Sequence, residues 1–478
     1  MTPPRRVAAT HHVRGPAEGS TAGRAHGGDA PDAYAGPGRE RRRTWVRTRR
    51  SPTVVWAVAA AAYLVAVVHR TALGVAGVDA VQRFGLSATG LAMFSVLQLG
   101  VYAALQIPAG RALDRFGARV LITTGSAVMA VGQGLLALAD DVPLALAARV
   151  LIGAGDAAIF ISACRLIAEW FPARRVPVMV QVTGLVGQSG QIVSAVVVAW
   201  VLHARGWGVT FGALAAVGAA VTVVAATGLA RRPDPAPSAV ETAARERFVH
   251  AVRAAVLPAG TRLGFWSHFL TPFSFNVVAM LWGVPFFVTA QGRTPAEASV
   301  LLTTMTASAM TAGPLVGRWT SRHPLRRSWV VLTSAGATFA VWAWLLLPAT
   351  PRPFAQLVVF AVVIGAGGPV SLVGIDFART FTTGDRLGTA TGFVNTGGFV
   401  STITGVLAVG VVLQLVSPAG ATTYPLDAWR LAFAVLLVPW VVGVVGVLHH
   451  RRRARADLSA AGTPVPPLRE ALRRRRAS

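Results

Sequence analysis

Apolar runs of about 20 residues recur along the chain from residue 53 onward, and shorter polar segments separate them. A helix of about 20 residues crosses the hydrocarbon core of a bilayer, so each run predicts a transmembrane helix. A longer polar segment after the sixth run divides the set into two halves. The pattern predicts an all-α membrane protein with twelve transmembrane helices in two six-helix bundles. The predicted spans are 53–77, 88–109, 118–138, 143–168, 177–203, 209–230, 262–290, 297–317, 328–348, 353–377, 387–415 and 428–449.

Polar segments flank the two predicted bundles. The predicted organisation is a disordered basic tail (1–52), an N-terminal bundle (53–230), a linker (231–261), a C-terminal bundle (262–449) and a second basic tail (450–478). The first tail is rich in Gly, Pro and Ala and has no hydrophobic periodicity, which is typical of disorder. It has no compact apolar stretch before a small-residue cleavage site, so a cleaved signal peptide is not expected.

Composition agrees with a membrane protein and argues against nucleic acid as a partner. Hydrophobic residues make up 53% of the chain and charged residues 13%, against about 25% charged in soluble domains. The net charge is +26, but all 45 basic residues are arginines, with 11 in residues 1–50 and nine after residue 450. No aromatic residues are interleaved with them as a base-stacking surface requires. We expect these tails to orient the protein and to meet anionic membrane lipid.

Arginine counts in the loops predict the orientation of the bundle. If the N-terminus is inside, the inner loops and the linker hold 17 arginines and the outer loops hold 5. Because cytoplasmic loops carry an excess of positive charge, both termini and the linker are predicted to be cytoplasmic. The single cysteine, Cys164, lies in an apolar run, so an internal disulfide is excluded.

The loop after the second span, "GRALDRFGAR", carries a family motif. Gly110, Asp114, Arg115, Gly117 and Arg119 match the G-x-x-x-D-R-x-G-x-[RK] signature, so the chain resembles the major facilitator superfamily. That resemblance implies two pseudo-symmetric six-helix bundles and transport by alternating access. It also implies that Asp114 acts in a gate by facing the positive N-terminus of a neighbouring helix.

The fourth span, "ARVLIGAGDAAIFISACRLIAEWFPARR", adds a second motif. Arg149, Gly153 and Gly155 resemble the superfamily's R-x-x-x-G-x-G pattern, in which the glycines allow close helix packing. Asp156 follows seven residues after the arginine, and a "WFP" end closes the span. This arrangement resembles the anion:cation symporter branch, which includes carriers of sugar acids and other organic anions.

The first span places His69 and Arg70 inside an apolar run. A charge at the centre of a spanning helix costs about 2.5–3.5 kcal/mol on insertion scales, so such residues mark transport pathways by default. We expect Arg70 and His69 to bind an anionic substrate, and Asp156 and His69 to take up protons. Sugar-acid carriers of the branch have Asp-Arg where this chain has His-Arg, so its proton-coupling chemistry and its substrate can differ from theirs. An ion pair between Arg70 and Asp156 that only joins two helices is the competing interpretation.

Two further polar residues are predicted to line the substrate cavity. Gln188 lies in a glycine-rich fifth span and Asn395 lies among small residues of the eleventh span. Nitrate carriers have a glycine-rich segment with an asparagine at a comparable place, so a nitrate or nitrite carrier remains an alternative. Efflux by proton antiport also remains, although the fifth span lacks the central proline that drug antiporters usually show.

The function predicted from sequence is proton-coupled symport of a small organic anion across the cytoplasmic membrane by a multi-pass monomer. No zinc-ligand spacing, phosphate loop or nucleophile–base motif is present, so no enzyme activity, cofactor or metal is expected. A transporter-like sensor and a lipid or nucleic-acid binder acting through the tails are the rival classes. Arg165 is expected to extend toward the membrane surface, and Asp376 with Arg379 to form a gate pair or an orientation signal.

Overall fold

The computed structural model describes residues 51–85, 88–229, 247–418 and 424–463, and all regular structure in those ranges is helical. Six long helices form the N-terminal half and six form the C-terminal half. In the N-terminal half they are α1 (Pro52–Val75), α2 (Ala88–Phe116), α3 (Ala118–Leu138), α4 (Val142–Trp170), α5 (176–205) and α6 (207–228). In the C-terminal half they are α7 (Ala259–Ala290), α8 (Pro295–Arg322), α9 (Arg327–Leu346), α10 (Phe354–Phe381), α11 (Leu387–Leu415) and α12 (Leu426–Ala460).

The fifth and sixth helices follow one another without a polar loop. Helical structure runs through Val176–Gly228, but Gly206 interrupts it with a φ of 77°. A straight helix of that length would measure about 80 Å, against a hydrocarbon core of about 30 Å. The positive φ, which glycine adopts without steric cost, therefore divides the segment into two crossings. In the described part of the chain, ten segments are long and apolar enough to span a membrane. One of them is this double segment, and α2 completes the twelve predicted spans.

Local sequence signals set several helix starts. The Ser51 hydroxyl accepts from the Val54 amide before α1, and Asp141 accepts from the Leu144 amide before α4. Before α8, Thr294 and Glu297 form a capping box in which each side chain bonds the other's backbone amide. These contacts satisfy amides that have no partner in the first helical turn.

Several helices extend beyond the predicted spans. The sequence predicts that the second span ends at 109, the eighth at 317 and the twelfth at 449, whereas these helices end at Phe116, Arg322 and Ala460. The apolar pattern marks only the segment in contact with lipid, and a helix can continue with a polar turn beyond it. Residues 1–50 of the first predicted tail (1–52), 231–246 of the predicted linker (231–261) and 464–478 of the second predicted tail (450–478) lie outside the described residues.

Each half has its own apolar core, and a third cluster joins the halves. This junction contains Phe160, Cys164 and Val180 of the N-terminal half and Ile375, Ala390 and Val394 of the C-terminal half, among others. The contacts between halves run mainly between α2 and α11 and between α5 and α8. A short helix of the linker, Phe248–Val256, packs against both α11 and α2.

Candidate functional site

Arg70 on α1 and Asp156 on α4 form a buried two-point ion pair. Arg70 Nε donates to Asp156 Oδ2 at 2.6 Å, and Arg70 Nη2 donates to Asp156 Oδ1 at 2.9 Å. Asp156 has no exposed surface, whereas 21% of the Arg70 side chain is exposed. The guanidinium fork matches a carboxylate in shape and charge. The same surface of Arg70 is therefore suited to a carboxylate that arrives from outside the protein.

A cavity of about 180 Å³ lies between the halves, and Arg70 is part of its wall. The predicted residues Gln188 and Asn395 also line it. The Arg70 guanidinium carbon lies 5.0 Å from the centre of the Tyr102 ring, which adds a cation–π contact at the wall. The other polar residues of the lining are Tyr63, Gln181, His268, Asn276 and Ser371. The cavity thus combines one permanent cation with neutral polar groups, all drawn from the described part of the chain.

The structure does not bring His69 into this cavity, which corrects the expectation that it binds substrate. Its side chain is 1% exposed. A Cβ added to Gly218 on α6 would lie 2.8 Å from the His69 ring and would also contact Ala130 on α3. Adjacent residues of a helix point about 100° apart, so Arg70 facing the cavity turns His69 into the bundle interior.

The glycines of the fourth span fulfil the predicted packing role. A Cβ on Gly153 would lie 2.6 Å from the Gln98 carbonyl oxygen of α2, and a Cβ on Gly155 would collide with the Gly125 carbonyl of α3. Both glycines therefore let α4 lie close to its neighbours. Arg149 is 2% exposed, and its Nη2 donates to the Arg70 carbonyl at 3.4 Å. It lies behind the ion pair and outside the cavity lining.

Asp114 joins α2 to α11 across the junction of the two halves. Its carboxylate accepts from the Gly388 amide at 2.7 Å, the Thr389 amide at 2.8 Å and the Thr389 hydroxyl at 2.6 Å, at the start of α11. Gly110, one turn earlier on α2, allows this approach because a Cβ there would collide with the Gly388 carbonyl. We call this end of the bundle, formed by Asp114, Gly388 and Thr389, the Asp114 face. The structure is closed at this face.

The remaining motif residues surround the Asp114 face. Gly117 has a φ of 81° and makes the turn between α2 and α3. Arg119 donates to the Ala226 carbonyl of α6, and Arg115 lies over the Phe116 ring. Arg165 is 5% exposed and forms ion pairs with Asp114 at 3.4 Å and Glu169 at 2.6 Å. The expectation that Arg165 extends toward the membrane surface is therefore wrong, because its carboxylate partners hold it inside.

A matching charge cluster holds the C-terminal half at this end. Asp376 pairs with Arg379 at 2.7 Å and with Arg327 at 2.5 Å. The gate or orientation role expected for Asp376 and Arg379 stays a prediction. Arg327 also donates to the Thr380 hydroxyl at 2.9 Å. Arg327, Asp376 and Thr380 lie within the C-terminal half, so their contacts fix α9 to α10.

Sequence reasoning missed several polar residues of the cavity. His268 and Asn276 on α7 and Tyr63 and Tyr102 of the N-terminal half gave no directional signal, because their helices are apolar on all sides. Among the described residues, no group of three or more His, Cys, Asp or Glu side chains is arranged to hold a metal ion.

Two six-helix halves, a polar cavity at their junction and a buried ion pair in its wall define a membrane transport protein. The chain belongs to the Major Facilitator Superfamily, whose sequence profile matches residues 59–282 and 264–477. The resemblance found in the sequence is thereby confirmed, and the members of this family and the relatives below are transporters, which are not enzymes.

Curated relatives carry small organic anions. A probable sulfoacetate transporter of Cupriavidus necator is 26% identical over 172 residues, covering 36% of this chain and 40% of that protein. A hexuronate transporter of Bacillus subtilis is 28% identical over 150 residues, covering 31% and 35%. A probable galactarate/D-glucarate transporter of Escherichia coli is 24% identical over 161 residues, covering 32% and 36%. The matched segments thus span about 35–40% of these relatives.

Solved structures support the fold. The proton:xylose symporter XylE aligns with a TM-score of 0.61 and 14% identity, over 84% of this chain and 96% of its own. FucP, solved in the outward conformation, aligns with a TM-score of 0.54 and 15% identity, over 82% and 99%. At these identities the likeness concerns the fold alone.

Proposed function

We propose that this protein carries a small organic anion across the cytoplasmic membrane together with a proton. The observation that carries the proposal is the ion pair between Arg70, in the cavity wall, and the fully buried Asp156. The names of the relatives, which transport organic anions, support the same substrate class.

The ion pair links substrate binding to proton uptake. A substrate carboxylate that binds Arg70 must compete with Asp156 for the guanidinium. An ionised carboxylate left buried without its partner is strongly destabilised, by about 3–5 kcal/mol when one partner of a buried pair is lost. A proton bound to Asp156 removes both the competitor and this penalty. The proton and the substrate therefore favour each other's binding, which is the condition for symport.

Alternating access supplies the transport step. The Asp114 face is closed, so substrate enters from the opposite side. Separation of α2 from α11 and of α5 from α8 opens this face and releases substrate and proton. The excess of arginine at this end supports a cytoplasmic Asp114 face with both termini inside. We propose a monomer as the functional unit, since residues of both halves of one chain line the cavity.

Purified protein in lipid vesicles with an imposed pH gradient tests the proposal. We expect accumulation of at least one anion from a panel of sulfoacetate, a hexuronate, D-glucarate, tartrate and nitrate. Asp156→Asn is expected to abolish accumulation on the gradient while exchange of labelled for unlabelled substrate persists. Asp140→Asn, a substitution of the same chemistry at a side chain that is 87% exposed, is the matched control. If Asp156→Asn protein accumulates substrate as the parent does, the ion pair is structural and the coupling proposal fails.

A further inference from the structure

We propose that a groove between α9 and α12 binds one acyl chain of phosphatidylethanolamine, and that Arg430 and Asp427 at its mouth bind the headgroup of that lipid. The groove is a cavity of about 560 Å³ in the C-terminal half. It shares no lining residue with the substrate cavity. Its occupant is therefore independent of the transported anion.

Two contacts join α9 to α12 and leave the groove between them. Where α12 begins, Arg430 donates to the Leu346 carbonyl at 2.7 Å and to the Leu347 carbonyl at 2.8 Å. Farther along, Trp440 Nε1 donates to the Ala335 carbonyl at 3.1 Å. Arg430 and Trp440 are ten residues apart, which is about 15 Å along a helix. Half of a hydrocarbon core of about 30 Å has the same depth, so the groove matches the length of one lipid chain.

The walls of the groove are hydrocarbon. Phe273 of α7, Trp342 of α9 and Phe433 of α12 form its buried side, and each is at most 8% exposed. Leu431 and Leu437 are exposed, so the groove is open toward the membrane. Water needs polar partners to occupy a cavity, and these walls offer apolar surface instead. A hydrocarbon chain is therefore the chemical class that fits.

The mouth of the groove carries one cation and one anion. Arg430 Nη1 donates to Asp427 Oδ1 at 2.7 Å. With the two bonds to α9, three of the five guanidinium hydrogens have partners in the described part of the chain, and two remain for a phosphate oxygen. The Asp427 side chain is 77% exposed, and its Oδ2 makes no hydrogen bond with the described residues. That oxygen can accept from a cationic donor.

Phosphatidylethanolamine matches both charges of the mouth. Its phosphate suits Arg430, and its ammonium group brings three N–H donors to Asp427. Phosphatidylglycerol has no cation and would place its negative charge beside the carboxylate. Phosphatidylcholine has a cation without N–H donors, so it cannot hydrogen-bond that carboxylate. The charge pattern therefore favours phosphatidylethanolamine over the other two lipids.

One short segment of α7 separates the groove from the substrate cavity. Phe273 and Ser274 line the groove, whereas Pro272, Phe275 and Asn276 line the cavity. A lipid chain in the groove thus packs against the back of the cavity wall. Because a ligand of the folded state stabilises it, bound lipid should raise the unfolding temperature.

Native mass spectrometry of the delipidated full chain in detergent tests the site. Dioleoyl forms of the three lipids are titrated, and the dissociation constant of the first bound molecule is measured. We expect phosphatidylethanolamine to bind at least fivefold more tightly than each of the other two, because it alone bonds both charged residues. It should also give the largest rise in unfolding temperature. Equal or tighter binding of phosphatidylglycerol or phosphatidylcholine overturns the proposal.

Asp427→Asn tests the headgroup contact. The variant removes the negative charge, so the preference for phosphatidylethanolamine over phosphatidylcholine should fall below twofold. Asp140→Asn is the matched control, because Asp140 is also paired with an arginine and its side chain is 87% exposed. It should keep the preference of the parent. An unchanged preference in Asp427→Asn overturns the role of the mouth.

Ala434→Trp tests the groove itself. Ala434 lines the groove, so the indole should fill it and raise the dissociation constant for phosphatidylethanolamine at least fivefold. Ala216→Trp makes the same change at an exposed alanine of α6 outside both cavities and should leave that constant unchanged. Parent-like binding in folded Ala434→Trp overturns the proposal. If Ala434→Trp does not fold, the comparison of lipids on the parent and on Asp427→Asn decides.

Discussion

Replacing Asp114 with asparagine is expected to weaken the closed state of the Asp114 face. Asp114 accepts three hydrogen bonds of 2.6–2.8 Å from Gly388 and Thr389. Bonds to a charged group contribute about 1.5–3 kcal/mol each and neutral ones about 0.5–1.5. Asparagine keeps one acceptor oxygen, loses the second, and loses about 0.3–1 kcal/mol of charge–dipole attraction at the start of α11. The closed state is destabilised by roughly 2–4 kcal/mol, which corresponds to a shift of roughly 30- to 700-fold in the open-to-closed ratio.

The native cysteine reports this shift. Cys164 is 5% exposed and belongs to the apolar cluster at the junction of the halves, with Ile375, Ala390 and Val394 of the C-terminal half. Separation of the halves at the Asp114 face uncovers its thiol. The rate of alkylation by N-ethylmaleimide should therefore rise at least tenfold in Asp114→Asn, measured by mass spectrometry on folded protein in vesicles.

Asp385→Asn is the matched control. Asp385 lies in the turn just before α11 with 62% of its side chain exposed, and its contact with Arg386 is 3.8 Å long. It has the same chemistry as Asp114 without the buried hydrogen bonds, so the alkylation rate should stay at the parent value. An Asp114→Asn rate within twofold of the parent, at an unchanged unfolding temperature, would refute the role of Asp114 in keeping the Asp114 face closed.

Three further outcomes are expected. Arg70→Lys keeps the charge but loses the planar fork, so the dissociation constant for the transported anion should rise about tenfold, as calorimetry would show; an unchanged constant would remove Arg70 from the binding site. Gly110→Ala sets a methyl group against the Gly388 carbonyl, so transport should be lost and Cys164 alkylation should accelerate; normal uptake would contradict the close packing. Single cysteines in the 231–261 linker of a Cys164→Ala background should resist an impermeant maleimide in intact cells, and labelling there would reverse the proposed orientation.

The sequence predicted the spans and the charged pair for the same physical reason. Burial of a long apolar segment in a bilayer lowers the free energy, and burial of an isolated charge raises it. Both effects are large, so both leave a signal in a single sequence. Arg70 and Asp156 were predicted to lie on facing helices, and the structure has them in contact. The motif likewise predicted that Asp114 faces a helix N-terminus, which is the start of α11. The transport roles of these residues stay predictions.

The direction of neutral polar residues left no such signal. His268 and Asn276 lie on α7, where a break at Thr271 and Pro272 and two π-helical segments change the register along the helix. A constant period of 3.6 residues cannot assign a face through such changes. The halves also meet around a cavity that both polar and apolar side chains line. An apolar residue can therefore face lipid, a neighbouring helix or the cavity, and its type alone does not say which. For these reasons the cavity lining required three-dimensional structure.

The position of His69 limits how much charge the site can exchange. Arg70 and His69 are neighbours in sequence, but the turn of α1 places one in the cavity wall and the other against α6 and α3. A carboxylate introduced at position 69 would share that buried location and would not line the cavity. Among the described residues, Asp156 is the one carboxylate paired with Arg70. If substrate binding to Arg70 is matched by one proton on Asp156, a cycle that carries a monovalent anion moves no net charge, whereas a divalent anion would move one negative charge against the membrane potential.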